Sequence, residues 1–254
     1  MPIVYHYVKN KYLFIMPAIN ISSATVKRLI SDIKEITLNP LSKDGIYYKH
    51  DESNMLVGYA LIIGQEGTPY AYGNFLFKFN FPANYPHSPP VATYCTNDGI
   101  TRFNPNLYKS GKVCISLLNT WKGEQWTGCQ TISSILLALC CLLNDKPLLN
   151  EPGILETHKD FNTYNKIIKY KTLEIAVNQM IDKAFLPTEF HIFYDEIIEN
   201  FKKNYDKIIL DVTDKENGRL STGIYGMSIK MNYEVLHAAL INKGVNNPVP
   251  FRSP

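Results

Sequence analysis

The chain has 254 residues, of which 45% are hydrophobic and 19% are charged, with a net charge of +3. These are ordinary globular values, so the chain can bury a sizeable core in one large domain, or in one domain plus an extension. The small net charge, without a basic run that tracks aromatic residues, argues against nucleic acid as a partner. The longest apolar stretch, residues 135–143, is about half a membrane span, so we expect no membrane partner.

The five cysteines are odd in number and lack the spacing of metal ligands: Cys95, Cys114, Cys129, Cys140 and Cys141. Polar residues interrupt the apolar N-terminus, which argues against a secretory signal. We therefore expect no metal site, free thiols and a reducing intracellular compartment, with the cytoplasm as first expectation and the nucleus as the alternative.

The first predicted element follows an N-terminal extension, residues 1–20, that shows no clear periodicity. Apolar residues at helical spacing predict a helix from Ser23 to Ile36, with Ser22 or Ser23 as N-cap and Asn39-Pro40 as its end. Apolar or alternating runs then predict strands at residues 55–63, 75–81 and 91–94. In the second of these strands, strict alternation predicts a single aromatic face that packs inward.

The second half of the chain is predicted to be helical. Residues 131–143 form a run that is apolar nearly all round, as in a buried helix. A long amphipathic helix is predicted over residues 161–183, and two more over 188–208 and 231–243. The polar, glycine-bearing residues 211–226 predict an exposed loop. One helix, three or four strands, an irregular segment and then helices together predict an α+β domain.

The candidate chemistry lies between the last strand and the buried helix. The tripeptide Asn104-Pro105-Asn106 stands eight residues before Cys114, and the turn signal Ser110-Gly111 lets the chain reverse between them. The Asn106 amide would then face the sulfur, and a thiol nucleophile beside an oxyanion donor is a minimal set for acyl transfer. This interpretation requires that a large acyl donor can reach the sulfur. The alternative is a buried, inert cysteine with a turn-capping asparagine.

Three segments in this order resemble the catalytic core of the ubiquitin-conjugating enzymes: residues 64–90 (GQEGTPYAYGNFLFKFNFPANYPHSPP), 104–121 (NPNLYKSGKVCISLLNTW) and 150–153 (NEPG). The resemblance runs from about residue 22 to 183. The tryptophan pair and helical tail are most similar to the larger, C-terminally extended Z-type members. The resemblance implies an N-terminal helix, a four-stranded antiparallel meander and C-terminal helices. It also implies an N-terminal extension (1–20), a catalytic core (21–183) and a helical extension (184–254).

The resemblance implies a transferase that works through a thioester. Cys114 matches the nucleophile that accepts ubiquitin, or a ubiquitin-like protein, from an activating enzyme and passes it to a substrate lysine, usually with a ligase. Asn106 matches the residue with an oxyanion or loop-organising role, and Asn104 stands where the family has histidine. Asn150 is the candidate polar residue beside the incoming lysine. No bound cofactor is implied, because ATP is used by the upstream activating enzyme.

The resemblance also implies partner-binding positions. Lys27 and Arg28 on the first helix would meet the activating enzyme. His87, Trp121 and Trp126 would lie on loops that face the ligase.

Two alternatives compete with an active conjugating enzyme. A catalytically silent variant would keep the fold in order to present ubiquitin to a partner, but such variants usually lack the cysteine. A papain-like hydrolase would need a histidine presented to Cys114, and none of the six histidines lies in that segment. The apolar helix that follows the cysteine is also the wrong context for a hydrolase.

Overall fold

The computed structural model of the chain describes residues 21–247, so the predicted N-terminal extension lies outside the described residues. Helix α1 (Ser23–Leu38) begins where the serine pair predicts. The Ser22 hydroxyl accepts a hydrogen bond of 3.0 Å from the Thr25 amide, which satisfies one of the orphan donors of the first turn. The predicted first helix is therefore confirmed. Within residues 21–247, no helix is both long and apolar enough to cross a bilayer.

The sheet has four antiparallel strands in the order of the chain: β1 (Ile46–His50), β2 (Val57–Ile63), β3 (Asn74–Asn80) and β4 (Val91–Tyr94). The three predicted strands and the four-stranded meander are confirmed. Sequence patterns alone missed β1, because its five residues (IYYKH) show neither an apolar run nor clear alternation.

Helix α2 (Ile132–Leu142) begins with a capping box between Thr131 and Ser134, and it confirms the predicted helix. The prediction that this helix is buried nearly all round is wrong in part, because Leu137 and Cys141 are exposed. The next predicted helix, residues 161–183, is only partly α-helical. Helix α3 (Phe161–Lys171) continues as a π-helical stretch, Thr172–Gln179. Within that stretch the Ala176 carbonyl accepts a hydrogen bond of 3.0 Å from Nδ2 of Asn74. A side chain inserted into the hydrogen-bond ladder is a known cause of such irregularity.

The C-terminal extension contains helices α4 (Tyr194–Val212) and α5 (Tyr233–Asn246), close to their predicted bounds. The loop prediction for residues 211–226 is wrong in part, because β5 (Gly218–Ser221) and β6 (Ser228–Met231) form an antiparallel hairpin. Two apolar residues of this hairpin, Met227 and Ile229, are buried against the rest of the molecule. Four-residue strands are too short to show a periodicity among polar neighbours.

The extension covers the second face of the four-stranded sheet. The alternation in β3 predicts one buried face, but Leu61 and Leu76 on the opposite face are also fully buried. The ring of Phe190 packs edge-on against Tyr59 of β2, with centroids 5.5 Å apart. Glu196 of α4 pairs with Lys49 of β1 at 2.7 Å. The extension therefore packs on the face of the sheet that carries Leu61 and Leu76.

A pair of buried asparagines joins the extension to the sheet. Nδ2 of Asn200 on α4 donates to the Tyr72 carbonyl at 2.9 Å and to Oδ1 of Asn74 at 3.1 Å. Tyr72 has a left-handed backbone conformation, with φ of 67°. Asn200 thus satisfies a carbonyl that the local chain geometry leaves without a strand partner.

We expect Asn200→Ala to lower the free energy of unfolding by about 1–3 kcal/mol, because it strands a buried carbonyl and a buried amide oxygen. Urea unfolding followed by far-UV circular dichroism measures the change. Lys203→Ala is the matched control, because this exposed residue lies on the same helix. Equal stability of the two variants would show that the asparagine pair does not hold the extension in place.

Candidate active site

The segment that carries the cysteine reverses at Gly111, as the sequence predicts. Gly111 has φ of 86°, and a Cβ at this position would lie 2.9 Å from the Tyr94 carbonyl oxygen. The Gly111 carbonyl accepts a hydrogen bond of 2.7 Å from the Tyr94 amide. The positive φ and the close approach to β4 both require a residue without Cβ, so only glycine fits at this turn.

The reversal brings Asn106 and Cys114 together. Nδ2 of Asn106 donates to the Cys114 carbonyl at 2.6 Å, and the Cys114 amide donates to the Asn106 carbonyl at 2.9 Å. Oδ1 of Asn106 is buried and has no hydrogen-bond partner among residues 21–247. In this conformation the side chain therefore organises the cysteine loop and retains one amide hydrogen that these bonds do not use.

Asn104, at the position where the resemblance places histidine, is fully buried in a cluster of amides. Its Nδ2 donates to the Tyr70 hydroxyl at 2.9 Å and to the Leu142 carbonyl at 2.7 Å. Its Oδ1 accepts from the Asn106 amide at 2.9 Å. Tyr70 donates in turn to the Phe103 carbonyl at 2.6 Å. Every polar atom of the Asn104 side chain is satisfied, so the substitution leaves the loop firmly held.

Asn150 belongs to this amide cluster. Its Nδ2 donates to Oδ1 of Asn104 at 3.3 Å and to the Leu142 carbonyl at 3.2 Å. Its Oδ1 accepts from Asn144 at 3.1 Å. These contacts direct its amide into the support of the loop, and its place beside an incoming lysine stays a prediction.

The Cys114 side chain is covered: the residue is 1% exposed. The requirement that the sulfur be reachable is therefore not met in this conformation. Residues 119–126 fold back over the chain that follows the cysteine, because a Cβ on Gly123 would lie 3.2 Å from Cβ of Ser116. Asn119 fixes one end of this loop by accepting a hydrogen bond of 2.8 Å from the Trp126 amide.

Thr120 is a site residue that the sequence analysis missed. Its hydroxyl lies within donating distance of the carbonyls of Val113 and Ile115, at 3.0 and 3.1 Å, and it accepts from the Ile115 amide at 3.0 Å. The contacts fix the backbone on both sides of Cys114. A threonine in a polar loop gives no signal of this role, since the contact depends on how the loop folds back.

The two residues predicted to meet the activating enzyme differ in their contacts. Lys27 is exposed on α1. Arg28 instead pairs with Asp32 at 2.8 Å, and its guanidinium donates to the carbonyls of Gly128 and Gln130. Arg28 therefore attaches helix α1 to the loop before α2, and its contact with an activating enzyme stays a prediction.

The residues predicted to face a ligase differ in their exposure to solvent. His87 is exposed and Trp121 is half-buried. Trp126 is buried, and its Nε1 donates to the Pro86 carbonyl at 2.7 Å while its ring lies 5.8 Å from that of Tyr85. Trp126 thus joins the two loops from inside, which corrects its assignment as a contact residue.

The exposure of Cys114 can be compared with that of the other cysteines. Cys129 and Cys141 are exposed, whereas burial raises the pKa of the Cys95 thiol to about 11. Within residues 21–247, no cluster of three or more histidine, cysteine or acidic residues could hold a metal ion.

We expect iodoacetamide to label Cys129 and Cys141 well before Cys114, because alkylation requires an accessible thiolate. Peptide mass spectrometry over a time course measures the order, and Cys95 serves as the slow internal control. Labelling of Cys114 as fast as Cys129 would show that the covered conformation is not the main one in solution.

Comparisons with known proteins agree with this geometry. The family model described as ubiquitin-conjugating enzyme matches residues 28–172. The chain is 36% identical to ubiquitin-conjugating enzyme E2 Z of Xenopus tropicalis over 196 residues, which cover 70% of this chain and 61% of the relative. It is 40% identical to the Homo sapiens E2 Z over 158 residues, which cover 61% of this chain and 44% of the relative.

A plant protein, putative ubiquitin-conjugating enzyme E2 39 of Arabidopsis thaliana, is 32% identical over 212 residues, covering 79% of this chain and 66% of the relative. For the vertebrate relatives the matched share is smaller: the chain spans about half of their length. The fold, the loop that pairs Asn106 with Cys114, and these matches agree. The chain belongs to the ubiquitin-conjugating enzyme family, which is a family of transferases.

Proposed function

We propose that this chain is an active ubiquitin-conjugating enzyme that carries ubiquitin, or a ubiquitin-like protein, as a thioester on Cys114. The observation that supports this most directly is the pair of hydrogen bonds between Asn106 and Cys114. This pair places a side-chain amide against the residue that would form the thioester.

The proposed reaction has two acyl transfers. The Cys114 thiolate attacks the carbonyl carbon at the modifier's C-terminus, which the activating enzyme holds as a thioester, and the activating enzyme's thiolate leaves. A substrate lysine amine then attacks the Cys114 thioester and loses a proton. The new amide bond forms as the Cys114 thiolate leaves. No histidine is required, because sulfur is both a strong nucleophile and a good leaving group.

Asn106 has two tasks in this proposal. One amide hydrogen holds the Cys114 carbonyl at 2.6 Å, which fixes the backbone of the nucleophile. The other can donate to the oxyanion of the tetrahedral intermediate, whose charge develops beside it. The acyl donor must first displace whatever covers the sulfur. Residues 119–126 are the proposed cover, because Gly123 packs against Ser116, two residues after the cysteine.

The partners proposed for the chain follow those of its family: the modifier, an activating enzyme, a ligase and substrate lysines. Lys27 offers an exposed positive charge to the activating enzyme, and His87 with Trp121 offers a loop surface to a ligase. ATP enters only through the activating enzyme. A reducing intracellular compartment is proposed from the odd number of cysteines in the sequence and their spacing.

A catalytically silent ubiquitin-binding protein is the second candidate. The observation that favours it is the 1% exposure of Cys114. A protein that only presents ubiquitin would have no need to uncover this sulfur.

Incubation with activating enzyme, ATP and ubiquitin, followed by a non-reducing gel, distinguishes the two. We expect an adduct that a reducing agent removes, and Cys114→Ser should give an ester that resists reduction. Cys129→Ser is the matched control and should load as the wild type does, because it changes a thiol that is exposed and remote in sequence. Absence of an adduct across a panel of ubiquitin-like modifiers and activating enzymes would favour the silent variant.

We expect Asn106→Ala to slow the transfer of the modifier to free lysine by about 10²–10³-fold, the usual effect of losing an oxyanion donor. Loading should be affected much less. Single-turnover discharge of preformed thioester measures transfer, and the gel assay measures loading. If both steps fell together, Asn106 would act by organising the loop and not by stabilising the oxyanion.

A further inference from the structure

The turn of the C-terminal hairpin lies against the Asn104–Cys114 loop, although the family match ends at residue 172. The hairpin is fixed from two directions. The Arg102 amide donates to the sulfur of Met227 at 3.3 Å, and the Ile224 amide donates to the Asp160 carboxylate at 2.9 Å. The extension therefore reaches the chain that leads into the catalytic loop.

Arg102 is the residue through which the hairpin meets this loop. Its Nε donates to the Asn104 carbonyl at 3.1 Å, and its Nη2 donates to the Pro105 carbonyl at 2.5 Å. The guanidinium lies between two aromatic rings, 3.3 Å from the centroid of Tyr108 and 4.9 Å from that of Tyr225. A planar guanidinium gains from both kinds of contact at once, because it donates in its plane and stacks through its faces.

Tyr225 makes a second contact with the other side of the site. Its hydroxyl donates to the carboxylate of Glu151 at 2.5 Å. Glu151 follows Asn150, which itself bonds to Asn104. The ring and the hydroxyl of Tyr225 thus join two segments that both support the Asn104–Cys114 loop. Burial, followed by the bond to Glu151, raises the pKa of Tyr225, so the hydroxyl stays a donor.

The backbone of Tyr225 is unfavourable by itself. Its φ is 59°, in the left-handed region that favours glycine. A bulky residue persists in such a conformation only where the surrounding contacts determine it, and outliers of this kind concentrate at functional sites. Tyr225 adopts this unfavourable φ while its ring contacts Arg102 and its hydroxyl bonds to Glu151.

We propose that Tyr225 is a positioning residue of the transfer site: it braces Arg102, which holds the carbonyls of Asn104 and Pro105 beside Asn106. The C-terminal extension would then contribute to catalysis by positioning the Asn104–Cys114 loop. This inference rests on the proposed conjugating activity and deepens it. Tyr225 acts through Arg102 and does not contact the reacting atoms. It restricts the loop so that the Asn106 amide stays on Cys114 while the lysine amine attacks.

Replacement by glycine tests the proposal without adding backbone strain, because glycine adopts positive φ freely. Misplacement of a catalytic group by about 1 Å can cost roughly 10²-fold in rate. We expect Tyr225→Gly to lower the maximal rate of lysine discharge by about 10- to 100-fold. The lysine concentration that gives half the maximal rate should change little. Tyr225→Phe, which keeps the ring on Arg102, should restore most of the rate.

Arg219→Ala is the matched control, because Arg219 is an exposed residue on the same hairpin. Transfer by Tyr225→Gly at the wild-type rate would overturn the proposal. So would a parallel fall of loading, transfer and Tm that Tyr225→Phe does not restore, since that pattern marks a residue needed only for folding.

A second measurement does not depend on loading. Hydrogen–deuterium exchange at the amides of residues 104–114 should be faster in Tyr225→Gly than in the wild type and in Arg219→Ala. Unchanged exchange would contradict the bracing role even if the wild type never loads. Failure of the wild type to load, together with faster exchange in the variant, would count against the proposed activity and leave the bracing role supported.

Discussion

The mutual hydrogen bonds between Asn106 and Cys114 are the constraint on which the site depends. They close a loop across eight residues and force a backbone reversal that only Gly111 permits. The neighbouring hydrogen bonds hold the backbone of this closed loop in place. Asn104 holds the entry of the loop through Tyr70 and Leu142, and Thr120 holds the backbone on both sides of the cysteine. Low-dielectric surroundings strengthen such a network when it is complete and penalise it when one partner is missing.

The C-terminal extension has a structural role that is visible before any catalytic one is considered. The sheet presents Leu61 and Leu76 on the face away from the aromatic core, and exposure of that face would leave an apolar patch in water. Phe190 and residues of helix α4 pack on this face, and Asn200 secures the contact by pairing with Asn74. The core and the extension therefore share one hydrophobic interior, which runs continuously through both faces of the sheet.

The sequence predicted the elements that carry strong local signals. Serine before an apolar period marked α1, alternation marked β3, and the Asn-Pro-Asn, glycine and cysteine spacing marked the loop. Sequence patterns missed the contacts that depend on a distant partner. Arg28 looked like a surface charge, but it binds carbonyls about 100 residues away. Trp126 looked like a contact residue, but its indole reaches the Pro86 carbonyl inside the fold. No local pattern encodes such pairings.

The amide at position 104 also decides how the loop responds to acidity. An imidazole at this position would change its charge between about pH 5 and 8, and its hydrogen bonds would change with it. A carboxamide has no proton to gain in that range. Its tyrosine partner is equally indifferent, because burial raises the pKa of Tyr70 above its ordinary value. The scaffold around the nucleophile therefore keeps the same bonds in neutral and mildly acidic surroundings.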